Sequence, residues 1–85
     1  MRPYILITGY RQQLAKAIEK LGIPYSVVAE KPLKKEPGGA DEVIILPFTE
    51  IKKEQGALRL SLKNTPTHVI AGTEAGVFPA AVLRR

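Results

Sequence analysis

The sequence predicts an α/β fold, a three-layer α/β/α sandwich around a four-stranded, mainly parallel sheet in the order 3-2-1-4. Three observations carry this expectation. Short apolar runs recur along the chain: YILI at 4–7, YSVVA at 25–29, VIIL at 43–46 and VIA at 69–71. Each has the length and β-branched content of a strand buried on both faces. Segments of helical spacing follow the first, the third and the fourth. Strands that alternate with helices, joined by right-handed crossovers, favour a doubly wound, Rossmann-like sheet whose winding reverses beside the first strand.

The elements follow in order. Gly9 ends the first strand. From Gln12 to Leu21 the apolar residues Leu14, Ala17, Ile18 and Leu21 share one helical face, with Lys16, Glu19 and Lys20 on the other. Gly22 suits the residue just past a helix end, and Pro24 discourages the helix from resuming. After the second strand, Glu30 to Ala40 carries Pro32, Pro37, Gly38 and Gly39 among charged residues and reads as a loop. Pro47 closes the third strand.

Residues 49–64 fit two patterns. Ile51, Leu58 and Leu62 suit a helix with Gly56 as its weak point. Leu58, Leu60 and Leu62, alternating with Arg59, Ser61 and Lys63, suit a strand. A helix is the preferred reading, because it lets the last strand run parallel to the others. Asn64-Thr65-Pro66 is a turn. Pro79 is expected at the first position of a final helix, where its missing N–H costs nothing. That helix carries Val77, Phe78, Val82 and Leu83, more apolar surface than two turns bury, so an apolar patch is expected near the C-terminus.

Composition narrows the function. Eighty-five residues make a single domain, 1–85. There is no cysteine, which removes disulfides and thiolate metal sites and fits a cytoplasmic setting. His68 is the sole histidine, so no histidine-based metal site is expected. The net charge of +5 points to an anionic partner, but the basic residues are spread. None is interleaved with aromatic residues as a stacking platform would need, which disfavours nucleic acid and leaves an anionic small molecule. The longest apolar runs fall far short of the roughly twenty residues of a membrane helix.

Two loops fall at the winding reversal, where open α/β sheets bind ligands. The first is Gly9-Tyr10-Arg11-Gln12. Its helix start offers free N–H groups, and Arg11 adds a fork suited to phosphate or carboxylate. Arg11 is equally readable as a solvated first-turn residue. The second loop is Gly72-Thr73-Glu74-Ala75-Gly76. Its glycines permit positive φ or close approach of a ligand. Thr73 could instead cap a turn, and Glu74 could pair with Arg11 or a lysine. A dinucleotide fingerprint requires G-x-G-x-x-G, and here Arg11 replaces its second glycine. Glu30 stands where a ribose-binding acid would, or is a loop acid beside Lys31. No nucleophile–base pair stands out, so no catalytic residue is assigned.

The blocks YILITGYRQQLAKAIEKLGIPYSVVAE, ADEVIILPF and THVIAGTEAGVFPAAVL, in that order and spacing, resemble the N-terminal pre-ATP-grasp domain of ATP-grasp ligases, as in biotin carboxylase. The resemblance covers nearly the whole chain. It implies a substrate-side module of an enzyme that activates a carboxylate with ATP and passes the acyl group to an amine. ATP and magnesium would be held by ATP-grasp domains that have no counterpart in this sequence, so no cofactor is implied for the chain itself. The resemblance places Gly9, Tyr10, Arg11 and Gln12 in one substrate-facing loop, and Thr73, Glu74, Ala75 and Gly76 in the other. Glu74 would bond a substrate amine or hydroxyl, and Arg11 a carboxylate or phosphate. The chain then reads as a fragment, or as a free-standing domain that works with an ATP-grasp subunit or self-associates through its C-terminal patch. Alternatives of other classes are a non-catalytic nucleotide- or anion-binding regulatory module and a basic nucleic-acid binder.

Overall fold

A computed structural model describes residues 3–33, 38–62, 66–73 and 76–84. The strands are β1 (Ile5–Thr8), β2 (Tyr25–Ala29), β3 (Glu42–Ile45) and β4 (His68–Ala71). The helices are α1 (Gln12–Lys20), α2 (Ile51–Ser61), entered through a 3₁₀ turn at Phe48–Glu50, and α3 (Val77–Leu83). The sheet is parallel throughout, in the order β3-β2-β1-β4. Ile5 pairs with Tyr25 on one side and His68 on the other, and Val27 pairs with Val43.

Strand alternation divides the core in two. Ile5, Ile7, Tyr25, Val27 and Ala29 face α1, where Ala15 and Ile18 meet them. Leu33 and Ala40, from the β2–β3 connection, pack on the same side. Leu6 and Val28 face the opposite way, against Phe48, Ile51 and Leu58 around α2, and Val82 and Leu83 of α3. Three layers result. The opposite placement of α1 and α2 follows from right-handed crossovers. The chain moves outward from β1 to β3, then returns across the sheet to β4, so the same handedness puts α2 on the other face.

The preferred helical reading of 49–64 holds, since α2 buries Ile51 and Leu58 against β1 and β2. Three details differ from expectation. The face of α1 read as Leu14, Ala17, Ile18 and Leu21 is buried through Ala15 and Ile18, with Leu14 half-buried, whereas Ala17 and Leu21 are exposed. Pro79 is the third residue of α3 rather than the first, although still within the first turn, where an N–H has no intrahelical acceptor. The C-terminal apolar residues also divide. Val82 and Leu83 are buried, whereas Val77 and Phe78 are each 59% exposed and form the patch by themselves. The turn expected at Asn64-Thr65-Pro66 lies mostly outside the described residues.

The end of α1 shows how local sequence sets the frame. Gly22 adopts φ +72°. Its N–H donates to the Glu19 carbonyl at 3.0 Å, and the Ile23 N–H reaches back to Ile18 at 3.3 Å. This paired closure satisfies carbonyls the helix leaves open, and a side chain at Gly22 would strain it. The chain then enters β2 directly. Among the described residues no helix is long and apolar enough to cross a membrane.

Candidate functional site

The site begins with β1 and β4 being neighbours, so their carboxyl ends and following loops emerge together. The Gly9 N–H donates to Val28 O at 2.8 Å, and the Gly72 N–H donates to Thr8 O at 2.9 Å. Both loops thus leave the sheet still bonded to its strands. Gly9 then turns with φ +86°, a conformation that side chains rarely adopt.

The loops touch each other closely. A Cβ on Gly9 would run into the Thr73 hydroxyl, one on Gly72 into the Gly9 carbonyl, and one on Gly76 into the Thr8 carbonyl. Thr8 Oγ1 donates to Gly76 O at 2.7 Å in a buried bond. Gly76 N–H donates to Thr73 O at 3.0 Å and to Thr73 Oγ1 at 3.2 Å. Thr73 therefore caps its own turn. Gly72 and Gly76 are required by the chain packing against itself, because a Cβ at either would meet backbone carbonyls of the first strand and its loop.

Among the described residues, two clefts lie beside this seam. One, of about 380 Å³, is lined by Gly9, Tyr10 and Thr73 together with Ala29, Glu30, Lys31, Pro32, Leu33 and Phe48. The other, of about 370 Å³, is lined by Arg11, Gln13 and Leu14 of the α1 start and by Ile70, Ala71 and Gly72 of β4. Tyr10 and Arg11, although consecutive, serve different clefts. Among the described residues, the two loops that the sequence assigned to one crevice contribute to both clefts, Gly9, Tyr10 and Thr73 to the first and Arg11 and Gly72 to the second.

Arg11 stands at the N-cap of α1 with extended backbone and an exposed side chain. Its carbonyl accepts the first helical bond, from Ala15 N–H at 3.1 Å, and its side chain makes no cap bond. Gln12 is exposed and lines neither cleft. Gly76 is buried in the seam. Glu74 and Ala75 lie outside the described residues.

Sequence reasoning missed the contribution of Leu33 and Phe48. They come from the loops after β2 and β3, and only the sheet order brings them to one wall. Their apolar character within loops was the available signal. Among the described residues Tyr25 has a clear pKa shift, and it stands at the start of β2, outside the lining of both clefts. Burial pushes the Tyr25 phenol up, and its hydrogen bond to the Glu19 carboxylate, with that group's charge, adds to the shift. Among the described residues no group of three or more His, Asp or Glu side chains converges to hold a metal.

Comparison with family models, with curated proteins and with solved structures gives no match.

Proposed function

We propose that this chain is the substrate-side domain of an ATP-dependent carboxylate–amine ligase, acting with a partner that carries the ATP-grasp fold. The sheet order supports this reading most, because it brings the loop at Gly9 to Arg11 beside Gly72 and Thr73 at one carboxyl edge. The resemblance of those segments to a pre-ATP-grasp domain supplies the reaction class. Arg11 would receive a carboxylate or phosphate on the α1 side of the seam. Tyr10 and Thr73 would border the substrate on the other. ATP and magnesium belong to the partner in this reading, and the chain has no turnover of its own. A cysteine-free sequence fits a cytoplasmic location.

One observation favours a second reading. Glu30 lines a cleft at the end of β2, where dinucleotide-binding folds place their ribose acid. Against it, Arg11 replaces the glycine that admits a pyrophosphate, and Thr73 fills the space beside Gly9. Thermal shift separates the two. ATP with magnesium and NADH should each leave the melting temperature unchanged, while small carboxylates and amines raise it. Stabilisation by NADH, or tight and salt-dependent binding of an oligonucleotide, would contradict the ligase reading.

A further inference from the structure

β4 is an outer strand of the sheet, paired with β1 on one side only. The His68 and Gly72 N–H groups point toward β1, donating to Tyr4 O at 3.2 Å and Thr8 O at 2.9 Å, so the backbone groups of Val69 and Ala71 point outward. One of these already has a partner. Arg84 Nε donates to Val69 O at 2.9 Å from an exposed side chain. That bond also orients α3. Val77, Ala81 and Arg84 are spaced i, i+4, i+7 and share one stripe of the helix, which runs beside the open edge. Val77, Phe78 and Ala81 are all exposed, so this flank is apolar. On the other face of β4 lies the cleft of about 370 Å³, where Leu14 and Ile70 provide a second apolar flank. An open hydrogen-bonding edge with apolar surface on both faces is the form of a site that accepts an added strand.

We propose that the β4 edge takes an extended, acidic segment of a partner protein as a further strand, with Arg84 leaving Val69 O to meet a carboxylate of that segment. Charge selects the occupant. Among the described residues of 11–14 and 66–84 there is no Asp or Glu, whereas Arg11 and Arg84 are cationic. A second copy of this chain would bring a net charge of +5 against +5 and displace two Arg84 side chains with no acid to receive them. An acidic strand instead turns the same arginine from a cover into a contact. Backbone pairing with Val69 and Ala71 supplies the register. Side chains of the added strand alternate between the Ile70 flank and the Val77 flank. Both arginines are exposed, so screening limits each ion pair and salt weakens the complex. A strand on this edge neither requires nor excludes the ligase reading.

The test titrates the full chain against the peptide fluorescein-Ser-Glu-Val-Ile-Val-Glu-Ser-amide, read by anisotropy and by amide chemical-shift mapping. Saturable binding with a Kd on the order of 100 μM is expected, with shifts at Val69, Ala71 and Arg84. The same peptide with Lys for both Glu should bind at least about tenfold more weakly. Two further peptides carry backbone N-methyl groups on alternate residues, one on each set. One set should abolish binding, because alternate N–H groups of an added strand face β4. Ala71→Pro removes an outward N–H and no bond to β1, a change an edge strand tolerates, and should weaken binding at least about tenfold. Arg84→Glu should invert the preference toward the Lys peptide. An unchanged amide spectrum elsewhere will confirm that each variant folds, and the methylated peptides carry the test on the unaltered chain. Equal binding of the Glu and Lys peptides, or of both methylated sets, would overturn the proposal. So would shifts confined to Val77 and Phe78, displacement of the peptide by a single-stranded oligonucleotide, or pairing of two copies of the chain through the β4 amides. The absence of saturable binding up to about 2 mM, well beyond the expected Kd, would overturn it as well. Each of these outcomes leaves the ligase reading standing.

Discussion

At the scale of single residues, the seam between the two loops is the least forgiving part of the molecule. A Cβ on Gly72 would collide with the Gly9 carbonyl and press on the Ile7 side chain. Gly72→Ala should cost at least about 2 kcal/mol, because the colliding atom is backbone and cannot rotate away. Urea denaturation followed by circular dichroism checks this, and a loss under about 0.5 kcal/mol, the size of an ordinary surface change, would deny the close packing. Tyr25 gives a prediction in pH. Its folded pKa lies above the ordinary value of 10.0, so the buried phenol stays protonated where the unfolded one ionises. Its contribution is complete below about pH 10 and is lost as pH rises further. Tyr25→Phe should cost about 1 kcal/mol near neutral pH through the lost bond to Glu19. It should also flatten the alkaline decline in stability. Denaturation midpoints of both proteins between neutral pH and pH 11 test the sign.

At the scale of elements, local pattern and tertiary demand can be told apart. α1 was legible because Leu14, Ile18 and a glycine stop agree, and the structure closes that helix on Gly22 as the pattern requires. β2 was legible because YSVVA is buried along its whole length. Residues 49–64 were ambiguous for a physical reason: Leu58 and Leu62 satisfy both a period of two and a spacing of four. Burial of Ile51 and Leu58 beneath the sheet decides for the helix. The close packing of the two loops was not legible. It depends on Thr73 filling the space beside Gly9, a contact between residues far apart in sequence. The same α2 contains Gly56, exposed and with open space where a Cβ would stand. Gly56→Ala should therefore stabilise the protein by about 0.5–1 kcal/mol, the helix-propensity difference, with a higher melting temperature as the readout. The opposite responses of Gly56 and Gly72 to one substitution separate a helix's weak point from a packed seam.

At the scale of the whole molecule, β4 is an edge strand and needs protection. His68 N–H donates to Tyr4 O at 3.2 Å and Gly72 N–H to Thr8 O at 2.9 Å, so even-numbered positions face β1. Val69 and Ala71 turn their backbone groups to the open side. There Arg84 Nε donates to Val69 O at 2.9 Å, laying a charged side chain across the edge. Arg84→Ala should leave the fold intact and make the chain associate as concentration rises, seen by sedimentation velocity. A strictly monomeric variant would show that the edge needs no such cover. The remaining feature at this scale is functional. Reversal of winding places two clefts on one rim of the sheet, one bordered by Tyr10 and Thr73 and the other by Arg11 and Gly72. An unbiased fragment screen by crystal soaking probes that placement most directly. Bound fragments should concentrate in these two clefts, against Tyr10 and Thr73 or against Arg11 and Gly72. Fragments gathered instead on the exposed Val77 and Phe78 of α3, with both clefts empty, would contradict it.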